Sequence, residues 1–94
     1  MEAPSAFKIR ILGRVQGVGF RYAAYKEAVR RGIRGFVRNE RDGSVYMEVE
    51  GSREILDAFT EWCRKGFLGA HVEKVITEEA PVRGFQKFEI QSLI

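Results

Sequence analysis

Gly13, Gly17 and Gly19 fall within seven residues, and a stretch so rich in glycine sustains neither a helix nor a strand. Both flanks are regular. Upstream, Phe7, Ile9 and Ile11 alternate with Lys8, Arg10 and Leu12, the period of a strand with one buried face. Downstream, Phe20, Ala23, Ala24 and Ala28 share one side at helical spacing and are mostly small, so they can approach a sheet closely. That spacing predicts a helix over 21–31, with Gly32 as its stop. The chain must therefore make a tight strand-to-helix connection near its start.

Residues 33–38 read as a second strand. Asp42-Gly43 is the strongest local hairpin signal, and beyond it Val45, Met47 and Val49 alternate with Tyr46, Glu48 and Glu50 in a third strand. Ser52 is the expected cap of a second helix, with Glu54 in its first turn. Ile55, Leu56, Phe59, Trp62 and Cys63 form the apolar stripe of that helix. Gly66 and Gly69 bracket Phe67-Leu68 in a loop. A fourth strand is expected over 72–77, where Val72, Val75 and Ile76 fail to alternate, as a bulge would cause. Residues 78–84 read as a loop around Pro81, and 85–90 as a last strand in which Phe85 is out of phase.

This order predicts an α+β fold. It is the ferredoxin-like βαββαβ sandwich, an antiparallel sheet with two helices on one face and a short extra C-terminal strand. Lys8, Arg10, Tyr46 and Glu48 suit the solvent side of that sheet. Ninety-four residues suffice for one domain, 1–94, and are too few for two.

Several function classes are set aside by composition. No apolar run approaches the roughly 18 residues of a membrane span, and the first residues lack the apolar stretch of a secretory leader. Cys63 is the single cysteine, so no intramolecular disulfide forms and packing alone holds the domain, which suits a cytoplasmic setting. One histidine, His71, and one thiol make no zinc site; His71 and Cys63 read as structural, and Glu78-Glu79 as a solvated loop end. The net charge is +3, unevenly spread: ten of the basic residues lie in the first 41, against Glu2, Glu27 and Glu40. The front half therefore attracts anions, with Arg14 and Arg38 flanking its motifs.

Glycines turn consecutive N–H groups inward, the helix N-terminus adds donors and a positive dipole end, and Arg21 can fork onto two phosphate oxygens. Residues 13–21 are thus a cradle for a phosphate-sized dianion, or else a turn with a surface arginine. Two better-known phosphate loops are excluded: no lysine-hydroxyl pair follows Gly19, and Tyr22 stands where a dinucleotide fingerprint needs glycine.

Gly13-Arg14-Val15-Gln16-Gly17-Val18-Gly19-Phe20-Arg21 resembles the signature loop of the acylphosphatase family. Gly35-Phe36-Val37-Arg38-Asn39, leading to Asp42-Gly43, resembles its second signature. The resemblance runs over residues 7–90. It implies a metal-free, cofactor-free enzyme hydrolysing the carboxyl-phosphate bond of acyl phosphates to a carboxylate and inorganic phosphate. By the same resemblance Arg21 and Asn39 are catalytic: Arg21 binds the phosphoryl group with amides of the loop Val15, Gln16, Gly17, Val18, Gly19 and Phe20, while Asn39 orients water. A monomer acting on a small molecule, with no nucleic acid or membrane partner, is the matching expectation. The sequence departs from the family at 66–72, where Phe67 replaces the usual proline. Two other readings remain. An RNA-recognition module shares the sheet type, but Glu48 and Glu50 on its open face would repel a nucleic-acid backbone. An inactive acyl-phosphate-binding module is opposed by the intact Arg21 and Asn39.

Overall fold

The alternation around Ile9 becomes the second strand of a five-stranded sheet. The computed structural model describes residues 3–66 and 69–92, and the expected Phe67-Leu68 loop lies outside them. In chain order the elements are β1 (Ser5–Arg14), α1 (Phe20–Arg30), β2 (Arg34–Asn39), β3 (Val45–Gly51), α2 (Arg53–Lys65), β4 (His71–Glu79) and β5 (Phe88–Gln91). Their order in the sheet is β4-β1-β3-β2-β5. Four strands pair antiparallel, as expected for a ferredoxin-like sandwich. The short β5 adds parallel to β2, so the sheet is mixed. This follows from connectivity: the chain leaves β4 at one edge and must cross to β2 at the other.

α1 packs over β2 and β5, and α2 over β1 and β4. Ile9, Ile11, Val37, Met47 and Val49 point into the core, meeting Phe20, Ala24 and Ala28 of α1 and Leu56, Phe59 and Cys63 of α2. Ser52 caps α2 by accepting the Ile55 N–H at 3.2 Å. Ile55 itself, expected in the stripe, is 37% exposed. The expected irregularity in the fourth strand is real. The register slips between Leu12↔Lys74 and Gly13↔Val72, making Glu73 the extra residue, so that Val72 and Val75 can both pack on the core. Glu78 and Glu79 belong to β4 rather than to a loop.

The other face of the sheet is less open than its alternation implies. Register sets Ile76, Arg10, Tyr46 and Arg38 in one row across β4, β1, β3 and β2. The Tyr46 ring lies between the guanidinium groups of Arg10 and Arg38, each 5.0 Å from its centroid. Burial, then the hydrogen bond its hydroxyl donates to Glu48 at 2.8 Å, pushes the Tyr46 pKa up to about 12. The segment 80–87 crosses this face. Phe85, out of phase for a strand, is not in β5. It packs edge-on against Phe36 of the outer face, with centroids 5.8 Å apart.

Glu50, expected to face solvent, is 1% exposed. Its carboxylate accepts the backbone N–H groups of Arg83 at 2.5 Å and of Gly84 and Phe85 at 3.2 and 3.0 Å. Arg83 also pairs with Glu48 at 2.8 Å. One carboxylate thus satisfies three donors of the crossing segment. Replacing Glu50 by alanine leaves them unmade and should cost about 3 kcal/mol, lowering Tm by roughly 15 °C for a domain of this size. Thermal and urea melts check this, and a loss under about 1 kcal/mol would mean that water replaces the carboxylate at no cost.

Candidate active site

Three apolar residues pin the glycine loop. Val15 is 1% exposed and Phe20 wholly buried, Val18 packs partly on the core, and the Phe20 ring lies 5.9 Å from that of Trp62. The remainder of the loop stays at the surface between these anchors. Gly19 occupies the N-cap position of α1 with φ 86° and ψ 8°, a left-handed conformation that a side chain resists, and no side chain caps the helix. The first N–H groups of such a helix have no intrahelical acceptor and add a partial positive charge. Because Phe20 is locked in the core, Arg21 emerges at a fixed place beside this end. It is half-buried, and among the described residues no carboxylate forms an ion pair with it.

Asn39 ends β2. Val37 points into the core, so the alternation puts Asn39 on the helix face and Arg38 on the opposite one. The Asn39 Oδ1 atom is buried and has no hydrogen-bond partner among the described residues. The turn that follows is held from several directions. Glu40 N–H donates to Ser44 O at 2.8 Å. Asp42 Oδ1 accepts the Ser44 N–H at 2.9 Å and its hydroxyl at 2.6 Å, and the hydroxyl bond foremost holds the Asp42 carboxyl below its usual range. The Glu40 carboxylate meets Arg38 at 3.0 Å and Arg10 at 3.6 Å. From the glycine loop, Gln16 Nε2 donates to Glu40 O at 2.7 Å and to Ser44 O at 2.8 Å. These bonds bring the loop that leads to Arg21 against the turn that follows Asn39.

A two-motif site on this fold has relatives. The acylphosphatase family model matches residues 7–90. The chain belongs to the acylphosphatase family. An acylphosphatase from Nocardioides sp. is 45% identical over 87 residues, covering 93% of this chain and 88% of the relative. The crystal structure of acylphosphatase from Bacillus subtilis superposes with a TM-score of 0.90 at 35% identity, over 93% of this chain and 98% of that one. The structure of an acylphosphatase from Coxiella burnetii gives 0.90 at 31% identity, over 94% of this chain and 93% of that one. The enzyme hydrolyses the carboxyl-phosphate bond of acyl phosphates, and its family works without a metal.

Other residues of this acylphosphatase stand apart from that chemistry. Cys63 is buried in α2, and burial pushes its thiol pKa up. His71, at the start of β4, is exposed. Among the described residues no group of His, Cys, Asp and Glu is arranged to hold a metal ion, and no helix is long and apolar enough to cross a membrane. A groove of about 630 Å³ on the outer face is lined by Arg10, Arg38, Glu40, Arg41, Asp42, Gln91 and Ser92, and takes in neither Arg21 nor Asn39. Arg38 serves the turn through Glu40, whereas Arg14 is exposed. Asn39 and Arg21 are candidates by their motifs alone. The Gln16 side-chain bonds have no such signal, because they join residues 24 and 28 positions apart and no local pattern records such a pairing.

Proposed function

We propose that Arg21 and the loop amides of Val15, Gln16, Gly17, Val18, Gly19 and Phe20 hold the phosphoryl group of the acyl phosphate, and that Asn39 orients the attacking water. The observation that carries this reading is the buried, unpartnered Asn39 Oδ1, on a strand tied through Gln16 to the uncapped start of α1. With a small turn of the amide, this unpartnered acceptor takes one hydrogen of a water molecule. It thereby leaves a lone pair of the water oxygen free to point at phosphorus. An amide is no base at neutral pH, so Asn39 positions and does not deprotonate.

The water oxygen bonds to phosphorus as the bond from phosphorus to the acyl oxygen breaks, and the electron pair leaves with the carboxylate. One water proton remains on the attacking oxygen and the other passes to a non-bridging phosphoryl oxygen, giving dihydrogen phosphate. The carboxylate is a good leaving group that needs no acid. Positioning and charge stabilisation therefore supply most of the catalysis. In this reading residues 1–94 form a single domain that works as a monomer in the cytoplasm, on a small acyl phosphate, without metal, cofactor or nucleic acid.

Hydrolysis of benzoyl phosphate in ¹⁸O-labelled water containing EDTA tests it. Turnover should be unaffected by the chelator, and the label should appear in phosphate and not in benzoate. Label in benzoate would place the attack at the carbonyl carbon. Loss of turnover in EDTA would defeat the metal-free reading.

A further inference from the structure

We propose that the side chain of Gln16 is a positioning residue that sets the spacing between the phosphate loop and Asn39, rather than a phosphate ligand. The inference rests on the site reading above and adds to it the part that joins its two halves. A primary amide has two N–H donors. Gln16 Nε2 directs them at the carbonyls of Glu40 and Ser44, at 2.7 and 2.8 Å. Both donors are thereby committed to the turn, and none is left for an anion in the cradle. The two carbonyls are the two sides of the turn's neck, since Glu40 N–H also donates to Ser44 O at 2.8 Å.

Glu40 directly follows Asn39, and Gln16 directly follows the buried anchor Val15. A single side chain thus connects the anchored start of the loop to the residue beside the water-orienting amide. On the far side of the sheet, Arg10 and Arg38 hold the Glu40 carboxylate, and Arg10 also donates to Ser44 Oγ at 3.1 Å. The turn is fixed to the sheet from one side by those arginines. From the other side only Gln16, among the described side-chain hydrogen bonds, ties it to the glycine loop. Without that tie the turn keeps its own geometry, but its distance to the bound phosphoryl group is no longer defined. A misplacement of about 1 Å can cost on the order of 100-fold in rate.

The test compares Gln16→Leu and Gln16→Glu with the wild type and Asn39→Ala, using benzoyl phosphate as substrate and inorganic phosphate as competitive inhibitor. Q16L removes both donors at similar size. Its kcat should fall between about 10- and 100-fold, while KM and the phosphate inhibition constant stay within about twofold of wild type, because the cradle is untouched. In Q16E the carboxylate faces two carbonyls and donates nothing at neutral pH. Once protonated, below about pH 5, it donates one bond, and its kcat relative to wild type at the same pH should recover in part.

If Q16L loses the fold, the acid recovery of Q16E decides alone. Q16L keeping its kcat while N39A loses turnover would overturn this inference and leave the site reading intact. So would a loss of phosphate inhibition as large as the loss of turnover, or a Q16E profile parallel to that of wild type. N39A turning over like wild type would overturn the site reading itself.

Discussion

Arg21→Ala should lose both turnover and phosphate inhibition, whereas Asn39→Ala should lose turnover and keep the inhibition. In the proposed mechanism the two residues differ in when they act. The phosphoryl group carries its charge before, during and after the reaction, so a guanidinium bound to it stabilises every state, and the transition state most, as charge shifts along the bonds being made and broken. Removing it raises KM and lowers kcat/KM together. A forked, charge-assisted contact of this kind is strong, and the point charge of a lysine does not reproduce its geometry. Arg21→Lys should therefore recover inhibition by phosphate better than it recovers turnover. In the proposed mechanism Asn39 acts only on water, whose alignment matters as the new bond forms. Its loss should fall on kcat, by at least two powers of ten, or about 3 kcal/mol, the cost of deleting one preorganised group elsewhere. Kinetics with benzoyl phosphate, with phosphate as inhibitor and melting curves as the folding control, would separate the two. An R21A enzyme that phosphate still inhibits at wild-type concentrations would remove Arg21 from the cradle.

Local periodicity carried most of the fold. Phe7, Ile9 and Ile11 bury as alternation requires, as do Val45, Met47 and Val49, and even the broken phase of Val72, Val75 and Ile76 corresponds to the slip at Glu73. The failures share a cause. Glu50 continues the outward phase of Tyr46 and Glu48, yet it lies under residues 83–85, because a segment more than thirty residues later crosses over it. Phe85 breaks the phase of β5 because its partner is Phe36 on the outer face. The parallel pairing of β5 with β2 likewise depends on where the chain crosses, not on the residues Phe88 to Gln91 themselves. The candidate site divides the same way. Arg21 and Asn39 stand out in the sequence because each closes a motif that resembles a family signature. The bracing of Asn39's turn by Gln16, Arg10 and Arg38 is tertiary and leaves no periodic trace.

The second signature opens on Gly35, whose role is steric and whose substitution should have the largest effect on stability. Gly35 has φ +141°, where L side chains are rare, and a Cβ built there would lie 1.8 Å from Glu48 O and 2.8 Å from Glu48 C. Both are backbone atoms of β3, so no rotamer change relieves the overlap. Nor can β2 simply move away. Its neighbours pair Phe36↔Glu48 and Val37↔Met47, and on the other side the Gly35 N–H donates to Lys87 O at 2.9 Å. Gly35→Ala must therefore open the ladder on one side or the other while forcing a side chain into a strained backbone. The expected cost is at least about 4 kcal/mol, beyond the range of an ordinary substitution and a large part of the stability of a domain this size. Urea and thermal melts of G35A should show it largely unfolded near body temperature. At low temperature, any folded fraction should retain inhibition by phosphate but turn over slowly, since β2 carries Asn39 four residues on while the loop is anchored elsewhere. A G35A protein that melts within a few degrees of wild type would mean that β2 can lie farther from β3 without loss. In that case the placement of Asn39 would depend on the clamps at its own turn and not on the strand that delivers it.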